Sequence, residues 1–294
     1  MEFLKADRPF FKGNLHLHTQ NSDGALSMED AEKRYQQLGY DFIAVTDHWK
    51  RTADTHYYKN MLVIPGIEVD FFLVNQVIHI VGIGVDEGMG HLDRTKYGPQ
   101  SAVNRIIRGG GQAILAHPAW SLNTPETIAG LQNIAAAEIY NAVSSPPFNG
   151  DRADSMALLD AVAANRRLIN TVASDDTHYY QGDEGQAFIR IQAEELTQAS
   201  VMEAFAQGSF HASCGPSICS LSMEGDSIHI TCSPVRHIIF LSNLPWASQR
   251  NFTGEGITQA SYALKRHSDF PETFVRAVVI DAQGLKAWAN PIKV

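Results

Sequence analysis

Apolar runs of strand length alternate with helix-like stretches through the first two thirds of the chain. Residues 42–46 are continuously apolar and partly β-branched, as in a strand buried on both faces. Before them, apolar positions recur at helical spacing from residue 28 to 38, with Ser27 and Asp30 placed to cap the helix and Gly39 placed to end it. A strand-like run that ends near His18 precedes this helix. The order strand, helix, strand predicts a parallel β-α-β unit.

The same alternation continues to about residue 215. The predicted strands are residues 61–69, 76–82, 113–116, 134–140 and 168–173, and the predicted helices are residues 101–108, 124 onward, 153–164 and 197–208. After residue 216 the pattern changes to short β-rich runs, at residues 228–232, 237–241 and 274–280, with turn residues between them. We predict an α/β domain over residues 1–215 and a small antiparallel, sandwich-like β module over residues 216–294.

Composition excludes several function classes. The 294 residues are 44% hydrophobic, enough for a sizeable core, and the formal charge of -9 argues against binding to extended nucleic acid or an anionic membrane surface. No run approaches the roughly 20 apolar residues of a membrane span, and the N-terminus lacks a basic segment followed by an apolar run, so we expect a cytoplasmic protein. The three cysteines form no C-x-x-C pair, which argues against a thiolate zinc site or a disulfide framework.

Side chains of metal-ligand type stand at or beside the ends of the apolar runs. His16 and His18 occupy alternate positions, so their imidazoles point to the same side of a strand. Asp23 precedes Gly24, where a loop can return the carboxylate over the strand end. Sites gather at the carboxyl ends of strands in parallel sheets. The candidate metal ligands are His16, His18, Asp23, His48, Glu68, His79, His117, Asp176 and His178.

This donor set predicts the chemistry. Mixed imidazole and carboxylate ligands suit Mn, Fe or Zn, and nine donors exceed the need of one ion, so we expect two or three divalent ions. Glu68 is the expected bridge, because a carboxylate can bind two metals. A hydroxide held between two ions is available near neutral pH, and the paired ions can bind both oxygens of a phosphoryl transfer. We assign catalytic roles to Glu68, His79 and His178, with a histidine or a metal-bound water protonating the leaving oxygen.

Several neighbouring residues leave alternatives open. Glu138 fits a ligand, a group that orients a ligand, or a strand-end ion pair. Asp47 and Asp175 adjoin proposed ligands and are expected to fix imidazole tautomers. Lys50 and Arg51 follow His48 and can bind an anionic substrate or form a solvated basic surface. The same alternatives apply to four further basic residues, Arg94, Lys96, Arg105 and Arg108. Tyr179 and Tyr180 line the pocket or simply pack. The remaining histidines are expected at the surface or in packing: His56, His91, His211, His229, His237 and His267.

The ordered motifs resemble those of the PHP (polymerase and histidinol phosphatase) superfamily over residues 10–215. They are His16-x-His18 with Asp23, Thr46-Asp47-His48, Gly66-x-Glu68, His79 before Ile80-Val81-Gly82, His117-Pro118 and Asp176-x-His178. The spacing of the last motif selects Asp176 rather than Asp175 as the ligand. The resemblance implies an irregular β/α barrel with a di- or trinuclear metal site and phosphoesterase activity. Residues 208–216 and 287–292 look like the CehA/McbA branch, which is named for a carbaryl hydrolase and carries a C-terminal β module.

Three functional hypotheses follow. The first is a metal-dependent phosphoesterase that hydrolyses a small phosphorylated metabolite or a nucleotide. The second is a carbamate, amide or ester hydrolase, because a polarised carbonyl needs only one Lewis acid and an attacking hydroxide. The third is a non-catalytic binding module, against which the intact ligand set argues. The sequence leaves the oligomeric state open.

Overall fold

The computed structural model describes residues 1–91, 93–265 and 270–294. The strands of the first part are β1 (Glu2–Leu4), β2 (Phe11–Asn14), β3 (Phe42–Val45), β4 (His56–Tyr58), β5 (Met61–Phe72), β6 (Val77–Ile83), β7 (Gln112–Leu115), β8 (Ala136–Asn141), β9 (Asn170–Ser174), β10 (Phe188–Ile191) and β11 (Phe210–Ser213). The α-helices are α1 (Met28–Gln37), α2 (Pro99–Arg108), α3 (Pro125–Gly130), α4 (Met156–Ala164) and α5 (Gln198–Ala206). Short 3-10 helices span Glu87–His91, Arg94–Lys96, Ala142–Ser144 and Pro147–Asn149. The C-terminal strands are β12 (Ile218–Glu224), β13 (Ser227–Ser242), β14 (Asn251–Ala263), β15 (Phe274–Ile280), β16 (Lys286–Ala289) and β17 (Ile292–Lys293).

A mixed sheet forms the first part of the fold. Strands β2, β3 and β5 are parallel, β6 runs antiparallel to both β5 and β7, and β7, β8 and β9 are parallel again. Within the described residues β9 and β2 share no ladder, and the two ends of the sheet meet at the isolated parallel bridge between Leu17 and Thr177. The predicted α/β architecture is confirmed, whereas its hydrogen-bonded ladder does not close into a continuous barrel.

Local signals placed the helices correctly. The side chains of Ser27, Thr124 and Thr197 each accept a backbone N–H at the start of α1, α3 and α5. Strand β3 is buried along its whole length, as its continuous apolar sequence predicts. Across the described ranges, no helix has the length and apolar character needed to cross a membrane.

The C-terminal strands are antiparallel, as predicted, but their boundaries differ from the expectation. Residues 228–232 and 237–241 belong to one 16-residue strand, β13, which pairs with β12, β14 and β15. The register with β14 shifts between Thr231 and Val235, where Pro234 is exposed. Proline cannot donate to a ladder, so the strand accommodates it at an irregularity and continues. The sequence pattern predicts two strands here because Pro234 interrupts the apolar run.

The two parts of the chain are joined across the predicted boundary at residue 216. Strand β11 pairs with β10 on one side and with β16 on the other, and β1 pairs with β12. The buried guanidinium of Arg276 on β15 donates to Asp160 Oδ1 of α4 at 2.8 Å and to Thr171 Oγ1 of β9 at 2.9 Å. The Trp288 ring stacks on Tyr140, with centroids 5.9 Å apart. The division at residue 216 stays a prediction, and the C-terminal strands brace the strand that leads to Asp176.

Candidate metal centre

All nine candidate ligands converge at one end of the mixed sheet. His16 and His18 follow β2, His48 follows β3, and Glu68 and His79 lie on β5 and β6. His117 follows β7, and Asp176 and His178 follow β9. Within each of three groups, one ligand atom per residue lies within 4.8 Å of the others. The groups are His16, His18, Glu68 and Asp176 (group 1), Glu68, His79 and His117 (group 2), and His18, Asp23, His48 and His178 (group 3).

Group 1 is the most deeply buried of the three groups. The Nε2 atoms of His16 and His18 each lie 3.1 Å from Glu68 Oε2 and 3.1 Å from Asp176 Oδ1. All four residues are buried. Two imidazoles and two carboxylates therefore face one point, which matches a four-coordinate site for a divalent transition metal.

Glu68 joins groups 1 and 2 through its two oxygens. Its Oε2 atom faces group 1, and its Oε1 atom lies 2.8 Å from His79 Nδ1 and 3.5 Å from His117 Nε2. Each oxygen thus faces a different group, and the bridging role of Glu68 stays a prediction.

Group 3 lies on the open side of the centre. Asp23 Oδ2 is 3.7 Å from His48 Nε2 and 3.6 Å from His178 Nε2, and Asp23 Oδ1 is 3.6 Å from His18 Nδ1. The Asp23 side chain is 55% exposed, whereas Glu68 is buried. A substrate that enters from solvent therefore meets group 3 first.

Unpartnered nitrogens test whether a cation fits. His16 Nε2 and His48 Nδ1 are buried and have no hydrogen-bond partner among the described residues. Buried polar atoms are normally hydrogen-bonded, so these two nitrogens call for another partner. Each lies close to a carboxylate of Glu68, at 3.1 Å and 3.3 Å. A bound metal ion would give each of these nitrogens a partner and would neutralise the Glu68 carboxylate. The combination of imidazole and carboxylate ligands fits Mn, Fe or Zn.

The carboxylates of the centre are held ionised. Burial alone raises the pKa of Glu68, but the combined attraction of His16, His79 and His48 outweighs it and lowers the pKa well below its usual value. Burial likewise raises the pKa of Asp176 less than the surrounding histidines lower it. Both groups are therefore in the anionic form that binds a cation.

Glu138 orients ligands. Its Oε1 atom lies 2.8 Å from His16 Nδ1, and its Oε2 atom accepts from the backbone N–H of His117 and from Asn141 Nδ2, both at 2.8 Å. Asn141 also donates to Asp176 Oδ2 at 3.1 Å. Sequence reasoning missed Asn141, although it follows Glu138 by three positions at the end of β8, where the other strands carry ligands.

The expected roles of Asp47 and Asp175 are wrong. Asp47 accepts from the backbone N–H and hydroxyl of Thr19 and from the Ser22 hydroxyl, each at 2.7 Å. Asp175 accepts from three consecutive backbone N–H groups, at residues 185, 186 and 187, each at 2.8 Å. Both carboxylates therefore hold loops, and none of these hydrogen bonds joins either of them directly to an imidazole.

Backbone geometry fixes the loops that carry the ligands. His117 and Asp176 have φ values of +29° and +54°, in the left-handed region that residues with a Cβ rarely adopt. At Gly24 an added Cβ would lie 2.2 Å from the carbonyl oxygen of His18. This close approach brings the preceding residue, Asp23, back over the end of β2.

The basic candidates lie in different places. Lys50 lines a cleft beside the metal pocket together with Arg94, and its ammonium donates to the carbonyl oxygen of Asn21. The Arg94 guanidinium lies 4.9 Å from the Trp49 ring centroid. Arg51 instead donates to Asp54 Oδ1 at 2.7 Å and to the carbonyl oxygen of Val85 at 3.1 Å. The structure thus brings Lys50 and Arg94 to the mouth of the site, with Arg51 engaged beside it.

The structure describes the side chains of the other candidate histidines and tyrosines, except those of two histidines. His211 is buried, and His56, His229 and His237 contact Glu32, Ser261 and Thr253. Tyr179 lines the metal pocket, whereas the Tyr180 hydroxyl donates to the carbonyl oxygen of His18 at 2.7 Å. His267 and the side chain of His91 lie outside the described residues.

Comparisons with known proteins agree with this geometry. The sheet and its clustered donors are those of a metal-dependent hydrolase of the α/β class. Residues 14–200 match the PHP domain, and the chain therefore belongs to the PHP domain family. The resemblance stated from the motifs, and with it the predicted class of enzyme, is confirmed.

Individual relatives are more distant. The chain is 30% identical over 103 residues to the 5'-3' exoribonuclease Rnm of Salmonella typhimurium, a match that covers 33% of this chain and 34% of that protein. It is 32% identical over 80 residues to the 5'-3' exoribonuclease Rnm of Escherichia coli, covering 25% of this chain and 27% of that protein. The chain thus spans about a third or less of these curated relatives.

One solved structure is similar along nearly the whole chain. It is a two-domain protein from Bacteroides vulgatus that contains a predicted PHP-like metal-dependent phosphoesterase. The TM-score is 0.56 at 14% identity, and the match covers 98% of this chain and 96% of the other. At this identity the likeness concerns the fold.

Proposed function

We propose that this protein hydrolyses a phosphate ester of a small molecule or a nucleotide, with two or three divalent ions held by the three ligand groups. The observation that carries the proposal is the sharing of Glu68 between groups 1 and 2, beside the more exposed group 3. Paired ions at such a site suit phosphoryl chemistry, because they can bind both the attacking and the leaving oxygen. We further propose that the open ladder corresponds to the irregular barrel of PHP proteins.

The residues of the chain prepare the site for this reaction. When bound, the divalent ions supply Lewis acidity and make hydroxide available near neutral pH. Glu138 and Ser121 hold the rings of His16 and His117 by contacts of 2.8 Å and 2.9 Å to their Nδ1 atoms. The proposed catalytic residues Glu68, His79 and His178 all line the same pocket of about 280 Å³.

Charge at the mouth of the site favours a phosphate ester over a carbamate or amide. Lys50 and Arg94 line the cleft next to group 3 together with Asp23 and Asp70, and Arg94 Nη2 lies 3.6 Å from Asp70 Oδ1. With Asp23 engaged as a metal ligand, the two cations would be available to bind the negative charge of a phosphorylated substrate. The two cations would add no binding energy for a neutral carbamate, because it has no negative charge to attract. The exoribonuclease relatives also act on phosphodiesters, which supports a nucleotide as the substrate.

Hydrolysis of model esters by the metal-loaded chain tests the proposal. We expect Mn-dependent release of nitrophenol from p-nitrophenyl phosphate or bis(p-nitrophenyl) phosphate, and its loss in Glu68→Ala. Glu255→Gln, on the exposed part of β14, is the control for a changed carboxylate and should retain wild-type turnover. A fully loaded protein that cleaves a nitrophenyl carbamate or carboxylic ester but neither phosphate ester would contradict the proposal.

A further inference from the structure

An open groove adjoins the metal pocket on the side of His178. Its volume of about 650 Å³ lies within the range of small-molecule sites, and Tyr179 lines both the groove and the metal pocket. Two rings form its apolar wall, Phe148 with 74% and Tyr179 with 51% of its surface exposed. Large exposed rings at the edge of a cleft indicate a surface that binds a ligand.

The two rings form a corner next to group 3. The centroids of Phe148 and Tyr179 lie 6.0 Å apart with an interplanar angle of 79°, and the Tyr179 centroid is 6.3 Å from that of His178. A planar aromatic group can stack on the face of one ring while its edge meets the other. The corner is thus shaped for a flat ring attached to a group bound at the metal centre.

Hydrogen bonds fix the loops that carry the two rings. Asp183 Oδ2 accepts from the backbone N–H groups of His178 and Tyr179, both at 2.8 Å, and so fixes the loop that presents Tyr179. Next to Phe148, Asn149 accepts from Trp120 Nε1 at 2.9 Å and donates to the carbonyl oxygen of Val143 at 2.7 Å. A surface held in this way loses little conformational entropy when a ligand binds.

The polar groups of the groove indicate what the flat ring carries. Ser145, Gln181 and Gln186 line it with Asp183, and the residues described along its wall include neither Lys nor Arg. Both Asp183 oxygens accept from backbone N–H groups of its own loop, so the serine and the two glutamines are left for a ligand. Uncharged hydroxyl and amide groups match the donor and acceptor edge of a nucleobase, and aromatic side chains stack on its face. A second phosphate would require cations, and Lys50 and Arg94 line a different cleft.

We propose that Phe148 and Tyr179 form a base-stacking subsite for the nucleotide whose phosphate ester lies at the metal centre. This inference rests on the proposed function, which places the phosphate ester of the substrate at the metal centre. The stacked base belongs either to a free mononucleotide or to the terminal nucleotide of a short oligoribonucleotide, and the chemistry of recognition is the same.

The test measures preference for a base. We compare kcat/KM of the metal-loaded full chain on adenosine 5'-monophosphate, ribose 5-phosphate and a pentaribonucleotide. In Phe148→Ala and Tyr179→Leu, the kcat/KM ratio of adenosine 5'-monophosphate or pentaribonucleotide to ribose 5-phosphate should fall about 5- to 150-fold, the range for loss of one stacking ring. Tyr179→Phe keeps the ring and should keep the ratio. Trp246→Ala, whose side chain is 78% exposed elsewhere, is the control.

The outcomes separate this inference from the proposed function. An unchanged ratio, or an equal loss on all three substrates, would overturn the subsite. A loss confined to one of the two base-bearing substrates supports the subsite and identifies the source of the base. If no ester is hydrolysed, the proposed function fails, and equilibrium binding of adenosine 5'-monophosphate then decides. Weaker binding in Tyr179→Leu but not in Tyr179→Phe supports the subsite, and equal binding overturns it.

Discussion

Glu138 Oε1 lies 2.8 Å from Nδ1 of His16, on the side of the ring that faces away from the ligand groups. In a metal-loaded centre this contact would keep the imidazole proton on Nδ1, because a carboxylate only accepts, and Nε2 would be the nitrogen that binds the ion. The other Glu138 oxygen already accepts from the His117 backbone and from Asn141. The His16 ring, the His117 backbone and the Asn141 amide all donate to Glu138, so both oxygens of this side chain must be acceptors.

We predict that Glu138→Gln lowers metal affinity about 10- to 100-fold, the usual effect of losing such an orienting partner. The amide of glutamine must turn its NH₂ group either toward His16 or toward the donors on the other side. The first choice reverses the His16 tautomer, and the second places donors against each other. Metal titration of the apoprotein measures the change. Affinity equal to the wild type would show that Glu138 does not set the tautomer.

Metal stoichiometry should distinguish the ligand groups. Asp23 belongs to group 3 alone, whereas Glu68 belongs to groups 1 and 2. We expect Asp23→Ala to lose one ion and Glu68→Ala to lose at least two, as measured by elemental analysis after excess metal is removed. The exposed Asp7→Ala serves as the control and should keep the wild-type content. Equal losses in the two ligand variants would rule out a bridging Glu68.

Gly24 should tolerate no side chain. An alanine Cβ there would lie 2.2 Å from the His18 carbonyl oxygen, so the loop must move and take Asp23 with it. We predict that Gly24→Ala lowers the free energy of unfolding by about 1–3 kcal/mol and weakens binding at group 3. Urea denaturation and metal titration measure the two effects. Gly130→Ala, which meets nothing within 4 Å, is the matched control, and a similar loss there would contradict a steric cause.

His211 should make the protein sensitive to acid. Burial, assisted by Arg190, lowers the pKa of this histidine to about 3. The unfolded chain, with a histidine pKa near 6.5, then binds the extra proton first, so stability is complete above about pH 6.5 and falls as the pH drops toward 3. The slope for one such group is at most about 1.4 kcal/mol per pH unit.

The measurement is urea denaturation at pH 7 and pH 5 on the wild type and on His211→Asn. Carboxylates titrate in both proteins, so the difference between their pH slopes isolates His211. We expect a smaller loss of stability in the variant between the two pH values. His237→Asn, on the more exposed part of β13, should behave as the wild type. Identical slopes for all three proteins would refute the assignment.

The sequence predicts which ligand-type residues come together, because each of them stands at or beside the end of an apolar strand. All nine candidate ligands meet in the three groups. The parallel strands bring their carboxyl ends to one edge of the sheet, and the antiparallel strand β6 brings its amino end, with His79, to the same edge. The role of Glu138 required structure, since it depends on which atoms its two oxygens contact. Asp47 and Asp175 were misjudged for the same reason: adjacency in sequence does not determine where a side chain points.

In the fold, too, the sequence predicts local elements but not the partners they pair with. Helices with capping signals and strands with continuous apolar sequence were predicted, but β14 was missed because its exposed and buried positions alternate irregularly. Strand β13 was divided at Pro234, which its irregular register with β14 tolerates. Partners such as β11 and β16, or Arg276 and Asp160, are far apart in sequence, so no local pattern specifies them.

The hydrogen bonds of Arg276 couple the local stability of the C-terminal strands to that of the metal centre. Its guanidinium reaches Thr171 at the start of β9, and the same strand ends just before Asp176. Opening β15 therefore exposes a buried cation and loosens the support of a ligand in a single event. The two regions should exchange their amide hydrogens as one cooperative unit. Loading the centre with metal then slows exchange in strands that never touch it.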